Sequence, residues 1–379
     1  MARPLRRRRG QQRGRLDAHG SRSLSLGIFF LAVVFMVLLA IYTYISVGLV
    51  HEIRGGDQSG KRKQMRRRHR HRQHNHDDNA KEASGTPRLP DILLIGAQKA
   101  GSSALANWLF DYGLCPARVF GREPRFYRKE VHFFGDRQRY SQGVDFYTSR
   151  FAHCPRDTLA IDATPATMLY ADQVHKTYDE WEGGKMANGV KILAVLREPS
   201  ARELSWYNHV TLKCRTDRSY NHTDCYNADG SMRSFSEYVH DVTLERVDIG
   251  STRRKHLCRG LYAHLLGEWF AKFQRDQILI LSYDEMVSDE ERMMQRVQSF
   301  LGLDPEGNPG RMEKTNAKNN EQKVRSIDCN IQQELNGVFD PLNDDLYRLL
   351  ETNPGPGVEK RPFPRFVVTK NCTSPDRLQ

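Results

Sequence analysis

Residues 91 to 112 read DILLIGAQKAGSSALANWLFDY: an apolar run, a loop bounded by Gly96 and Gly101, then an apolar stretch of helical character. An unbroken run of branched apolar side chains suits a strand buried on both faces, with the following helix laid on one of them. The unit therefore demands a sheet with helical cover. Its loop also aims backbone N–H groups and a helix N-terminus at one point, a natural seat for a phosphate-type anion. The nucleotide-hydrolase loop places a lysine directly after its second glycine. Here Ser102 fills that position and the lysine is Lys99, inside the loop, so its ammonium meets a different atom of the anion. No magnesium-binding acidic strand follows. Taken alone, the unit equally fits an ordinary tight turn.

A second unit raises the value of the first. ILAVLREPSARELSWYNH runs an apolar strand into Arg197, a proline and a helix that carries Ser205. A guanidinium at a strand end can grip phosphate through two hydrogen bonds, with the Ser205 hydroxyl as a further donor. Arg197 alone would equally suit a surface ion pair. Strands are expected at 91–96, 159–162, 191–196 and 277–282. Helices are expected at 103–112, 201–212, 235–247, 261–273, 290–301 and 331–350. Strands alternating with helices predict an α/β fold with a central, mainly parallel sheet flanked by helices.

The formal charge of +12 suggests a nucleic-acid binder until the chain is divided. Residues 1–89 hold 19 Lys and Arg against 6 Asp and Glu, whereas residues 90–379 hold 39 against 40. The excess is N-terminal, and no nucleic-acid partner is expected. From Leu24 to Val50 the chain has 27 residues without an acid or base, longer than the ~20 that cross a bilayer core. A transmembrane signal-anchor helix is predicted there. Basic residues lie on both sides of it, so the positive-inside rule does not orient it. Two glycosylation acceptors, Asn221 and Asn371, and all seven cysteines lie C-terminal to the span, which favours a lumenal body. The domains expected are a cytosolic basic tail (1–23), the span (24–50), a disordered basic and His-rich stem (51–89) and a lumenal domain (90–379). Cys214 and Cys225 flank a polar segment and are the best local disulfide pair. No Cys/His ligand spacing is present, so no metal is expected.

The two motifs together resemble the signature of sulfotransferases that use 3′-phosphoadenosine 5′-phosphosulfate (PAPS). The resemblance implies a P-loop-like sulfotransferase fold. It also implies that Lys99, Ala100, Gly101, Ser102 and Ser103 hold the 5′-phosphosulfate, and that Arg197 and Ser205 hold the 3′-phosphate. Between them, RKEVHFFGDRQRYSQGVDFY is similar to the lumenal glycosaminoglycan sulfotransferases, which implies Glu130 as general base with His132 beside it. Chemistry independently asks for a carboxylate, because a sugar hydroxyl must lose its proton as the new bond to sulfur forms. Lys99 would stabilise the charge that grows on the leaving phosphate, and the in-line transfer needs no metal. CRGLYAHLLGEWFAKFQRDQILILSYDEM and ELNGVFDPLNDDLYRLLE extend the likeness over roughly residues 90–352.

Two departures matter. The C-terminal K-G-x-x-x-P loop of the heparan 3-O-type enzymes is replaced by EKTNAKNNEQK, where Lys314 or Lys318 would have to serve. In IDATPATMLY, Ala163 stands where those enzymes place a lysine, a pattern closer to the chondroitin-type N-acetylgalactosamine 4-sulfate 6-O-sulfotransferases. An acidic glycan acceptor is expected, met by the basic segment 118–139 and above all by Arg128, Lys129 and Arg137. The whole describes a single-pass type II Golgi membrane enzyme. A membrane-tethered polyanion-binding module on the same fold, or a magnesium-dependent P-loop kinase, remain open alternatives.

Overall fold

The computed structural model describes residues 85–118, 129–184, 188–217, 225–244, 260–312, 323–356, 362–367 and 372. Strand β1 (Ile92–Gly96) is buried along its whole length, as its apolar run requires. It pairs in parallel with β3 (Ala160–Asp162) on one side and β4 (Lys191–Leu196) on the other. β2 (Cys115–Pro116) extends the sheet beyond β3 and β5 (Ile278–Ser282) beyond β4, giving the all-parallel order 2-3-1-4-5. At the end of β1 the register against β4 slips between Leu94 and Gly96. A side chain at Gly96, where φ is 157°, would crowd the Pro165 carbonyl at 3.0 Å and Met168 at 3.2 Å, which favours glycine there.

Alternation along the strands sends residues to two faces. Leu93, Ile95, Ile192, Ala194, Ile278 and Ile280 pack under α4 (Ala171–Glu180), α7 (Tyr262–Phe270) and the C-terminal half of α10 (Cys329–Thr352). Ile92, Leu94, Leu193, Val195, Leu279 and Leu281 pack under α1 (Ser102–Asp111) and under α8 (Tyr283–Ser288) with α9 (Glu290–Leu301). A third apolar cluster joins α5 (Pro199–Thr216) and α6 (Phe235–Leu244) to the first half of α10 through Trp206, Tyr238, Leu335 and Phe339. The short helices α2 (Arg137–Tyr140) and α3 (Gly143–Ser149) precede β3.

The expected strands are present within a residue at each end, and the expected helices are all found. Helix α5 starts two residues ahead of expectation because the Glu198 carboxylate caps it, accepting from the N–H groups of Ser200 at 2.8 Å and Ala201 at 2.7 Å. Leu89, which the sequence put at the end of the stem, is 1% exposed and belongs to the core. Cys214 and Cys225 form a disulfide, as do Cys115 with Cys154 and Cys329 with Cys372, two pairs the sequence did not single out. Among the described residues no helix is long and apolar enough to cross a membrane. The stretch Leu24–Val50, residues 51–84 of the stem, both glycosylation acceptors and Cys258 lie outside the described residues.

Candidate active site

In an open parallel sheet, ligands bind beyond the carboxyl ends of the strands where the chain order diverges from the central strand. That edge is where the loops after β1, β3 and β4 emerge. The β1 loop turns sharply: Lys99 has φ 71° and Gly101, the N-cap of α1, has φ 95°. No side chain caps α1. A β-carbon at Gly101 would sit 2.9 Å from Met286 Sδ and 3.1 Å from the Tyr283 ring. Ala100 and Ser102 are buried and Ser103 is half-buried at the helix start. The β4 loop meets the β1 loop directly, since Arg197 Nη1 donates to the Lys99 carbonyl at 3.2 Å. The guanidinium lies 4.6 Å over the Tyr283 ring, and the Arg197 carbonyl accepts from the Tyr262 hydroxyl at 2.8 Å. Ser205 follows on α5, half-buried. The two motifs are thus one structure, as the anion reading requires.

The carboxylate lies on the segment between β2 and α2, which meets the end of β3 where the Ala163 N–H donates to the Lys129 carbonyl at 2.9 Å. Glu130 Oε1 lies 2.5 Å from Lys129 Nζ, and Oε2 lies 2.9 Å from His132 Nε2. Burial pushes this carboxyl up, but the hydrogen bond from His132 and the charge of Lys129 outweigh it and hold the group down to about 2. Glu130 is therefore ionised throughout the physiological range. Lys99 is affected the opposite way. Burial, then the charges of Arg197, Lys323, Lys213 and Lys129, bring its ammonium down to about 8. Lys99 thus lies within electrostatic reach of both Arg197 and the lysine bonded to Glu130.

The remaining expected residues divide. Lys129, read as an acceptor contact, places its ammonium on Glu130 and 3.5 Å from the Ala163 carbonyl. Arg137 is exposed on α2. Arg139, in the same basic segment, is occupied structurally: Nη1 donates to the Val131 carbonyl, and Nε lies 3.8 Å from Asp136. Arg128, Lys314 and Lys318 lie outside the described residues. Sequence reasoning passed over His209, one turn beyond Ser205, whose imidazole is pushed down to about 4 by burial and by Lys99 and Lys213. It also passed over Lys323. Asn208 clamps the residue after it, donating to the Val324 carbonyl and accepting from the Val324 N–H, both at 2.9 Å. The signal for these was their four-residue spacing on α5 and the last lysine of EKTNAKNNEQK. Among the described residues, the one grouping with metal-ligand geometry is Cys115, His153 and Cys154. Both its sulfurs are joined in a disulfide, which takes away the thiolates that a metal would need.

Residues 89–343 match the family model described as "Sulfotransferase domain". Among curated relatives, heparan sulfate glucosamine 3-O-sulfotransferase 5 of Mus musculus is 26% identical over 259 residues, covering 68% of this chain and 61% of that protein. The bifunctional heparan sulfate N-deacetylase/N-sulfotransferase 1 of Caenorhabditis briggsae is 27% identical over 286 residues, covering 70% of this chain and 30% of that protein. The chain thus spans under two thirds of the length of these relatives. A sulfotransferase from Alicyclobacillus acidocaldarius of known structure is 19% identical, covers 70% of this chain and 96% of its own, and superposes with a TM-score of 0.49. With its family model spanning the whole parallel sheet and all three loops at its carboxyl edge, the chain belongs to the sulfotransferase domain family.

Proposed function

We propose that the chain transfers a sulfuryl group from PAPS to a hydroxyl of a glycosaminoglycan. The observation that carries this reading is the single cluster formed by Lys99, Arg197 and the Lys129–Glu130–His132 turn. The β1 loop holds the 5′-phosphosulfate, and Arg197 with Ser205 holds the 3′-phosphate. The acceptor oxygen attacks sulfur, the bond from sulfur to the 5′-phosphate oxygen breaks, and 3′-phosphoadenosine 5′-phosphate leaves. The hydroxyl proton passes to Glu130, while Lys99 offsets the charge gathering on the leaving phosphate. A carboxyl held at about 2 is a weak base. An incoming hydroxyl that displaces Lys129 Nζ from Oε1 raises its basicity at the moment of transfer.

The finer acceptor assignment is a chondroitin or dermatan chain. It is supported by Ala163, whose side chain is fully buried and supplies no cation where the heparan 3-O-type pattern has one. The curated relatives above act on heparan sulfate by name, so both classes belong in the test. The membrane arrangement completes the reading: tail 1–23 in the cytosol, span 24–50 in the Golgi membrane, a stem that begins at 51 and ends before Leu89, and the catalytic domain in the lumen with glycans on Asn221 and Asn371.

The decisive experiment assays the soluble domain with labelled PAPS against chondroitin, dermatan and heparan acceptors, with and without a chelator. Sulfate on chondroitin or dermatan without added metal is the expected result. Glu130→Gln should lower kcat by about 10²- to 10⁴-fold while leaving nucleotide affinity within a fewfold. Unchanged turnover in that variant would remove Glu130 from the chemistry, and sulfate on no glycan would leave a polyanion-binding module.

A further inference from the structure

The turn that carries Glu130 hangs on a buried pair of side chains that the chemistry above does not use. Asp162 ends β3 and is 2% exposed; Thr164, two residues on, is 1% exposed. Asp162 Oδ1 accepts from Thr164 Oγ1 at 2.6 Å and, more distantly, from the Val131 N–H at 3.5 Å. Its Oδ2 accepts from the Tyr147 hydroxyl at 2.9 Å. With its proton directed at Asp162, Thr164 Oγ1 is left as an acceptor and takes the His132 N–H at 3.3 Å. The Ala163 N–H donates to the Lys129 carbonyl at 2.9 Å.

Residues 162–164 therefore grip positions 129, 131 and 132 and leave Glu130 between them to project its carboxylate. His132 is held at φ 52°, a left-handed conformation that a non-glycine residue keeps only where its surroundings fix it. That conformation accompanies a ring placed 2.9 Å from Glu130 Oε2. Burial raises the Asp162 carboxyl above its ordinary value, and the bonds from Thr164, Tyr147 and Val131 offset only part of that push.

We propose that Asp162 and Thr164 are positioning residues of the transfer reaction, fixing the backbone of the Glu130–His132 turn so that the carboxylate and imidazole meet. The proposal rests on the reading of Glu130 as base. Misplacing a reacting group by about 1 Å can cost about 10²-fold in rate.

The test compares Thr164→Val, Thr164→Ser and Asp162→Asn with Glu130→Gln in the full chain. It measures kcat, both KM values, affinity for 3′-phosphoadenosine 5′-phosphate and hydrogen exchange of the His132 amide. Thr164→Val keeps the shape and loses the oxygen, so kcat should fall about ten- to hundredfold with nucleotide affinity within about twofold. Its His132 amide should exchange faster. Thr164→Ser restores the oxygen and should restore both kcat and protection. Asp162→Asn should fall at least as far as Thr164→Val in kcat; should it fail to fold, the threonine pair decides. Equal losses in the valine and serine variants, or a loss shared with nucleotide affinity, would overturn the positioning role. So would wild-type kcat in Thr164→Val beside an inactive Glu130→Gln. Full turnover in Glu130→Gln would instead reject the base reading, and this inference with it.

Discussion

Lys99 shows what a residue gives up to serve a site. A lysine titrating near 10.5 in the unfolded chain and about 8 in the folded one is held against its preference by burial and by Arg197, Lys323, Lys213 and Lys129. Between those values the unfolded state binds more protons, so stability rises with pH from about 8 to 10.5. Below about 8 both states are protonated and the penalty stands in full, up to about 3 kcal/mol by linkage. Lys99→Met should therefore raise Tm at pH 7 while lowering kcat by about 10²- to 10³-fold. A lower Tm would mean that the methylene packing outweighs the charge. Because kcat/KM reports the free enzyme, its alkaline limb should fall near pH 8 and move upward in Lys99→Arg. Glu130 has the opposite sign. Its folded value of about 2 lies below the ordinary 4.5, so its stabilisation is complete above 4.5 and lost as pH falls through 2. It should produce no acid limb in the working range. Lys99, Arg197 and Glu130 were legible because each sits inside a short local pattern. Asp162, His209 and Lys323 were not, because only the folded chain brings them to that pattern.

At the level of the element, α5 organises the donor side. It begins directly after Arg197, with Glu198 as its cap, and carries Ser205, His209 and Lys213 at four-residue spacing, which places them along one face. Asn208 extends this order to a chain segment 116 residues away through its paired bonds to Val324, fixing the backbone beside Lys323. The charge of Lys323 is felt at Lys99 even though its own side chain is exposed. Lys323 is thus the described lysine of its segment whose charge reaches the site, and Lys314 and Lys318 lie outside the described residues. Asn208→Ala should weaken nucleotide binding about three- to tenfold, the scale of one or two net hydrogen bonds. Lys323→Ala should weaken it similarly and flatten its salt dependence. In the double variant the losses should not add, because the asparagine works by placing the lysine. Full additivity in nucleotide titrations would separate the two roles. The strands were readable for a related reason: β1, β4 and β5 are buried on both faces and spell continuous apolar runs. β2 is two residues, Cys115 and Pro116, with no period to read, and α4 hides its buried Ala171, Val174 and Tyr178 among charged residues.

Across the whole folded unit, one edge of the sheet carries the candidate site and two apolar faces hold that edge in place. The strand order itself was beyond sequence reading, since an apolar run states that it is buried and not which run lies beside it. The cysteines were half legible for the same reason. Cys214 and Cys225 are 11 residues apart and could be paired by proximity, whereas the other two bridges join residues 39 and 43 apart. Those separations give a stability ordering. If a bridge acts by restricting the unfolded chain, the two longer loops are each worth about 4 kcal/mol and the short one about 3 kcal/mol. Burial pulls the other way: Cys225 is 0% and Cys214 6% exposed within the third apolar cluster, while Cys115 and Cys329 are only half-buried. Serine pairs at each bridge, unfolded in urea, separate the two effects. Loop closure predicts the smallest loss at Cys214–Cys225; the largest loss there would show that two hydroxyls buried among Trp206, Val210 and Tyr238 cost more than the chain entropy. That pair also adjoins Lys213, so it alone should raise the KM for PAPS, and an unchanged KM would show that α5 holds its register without the bridge.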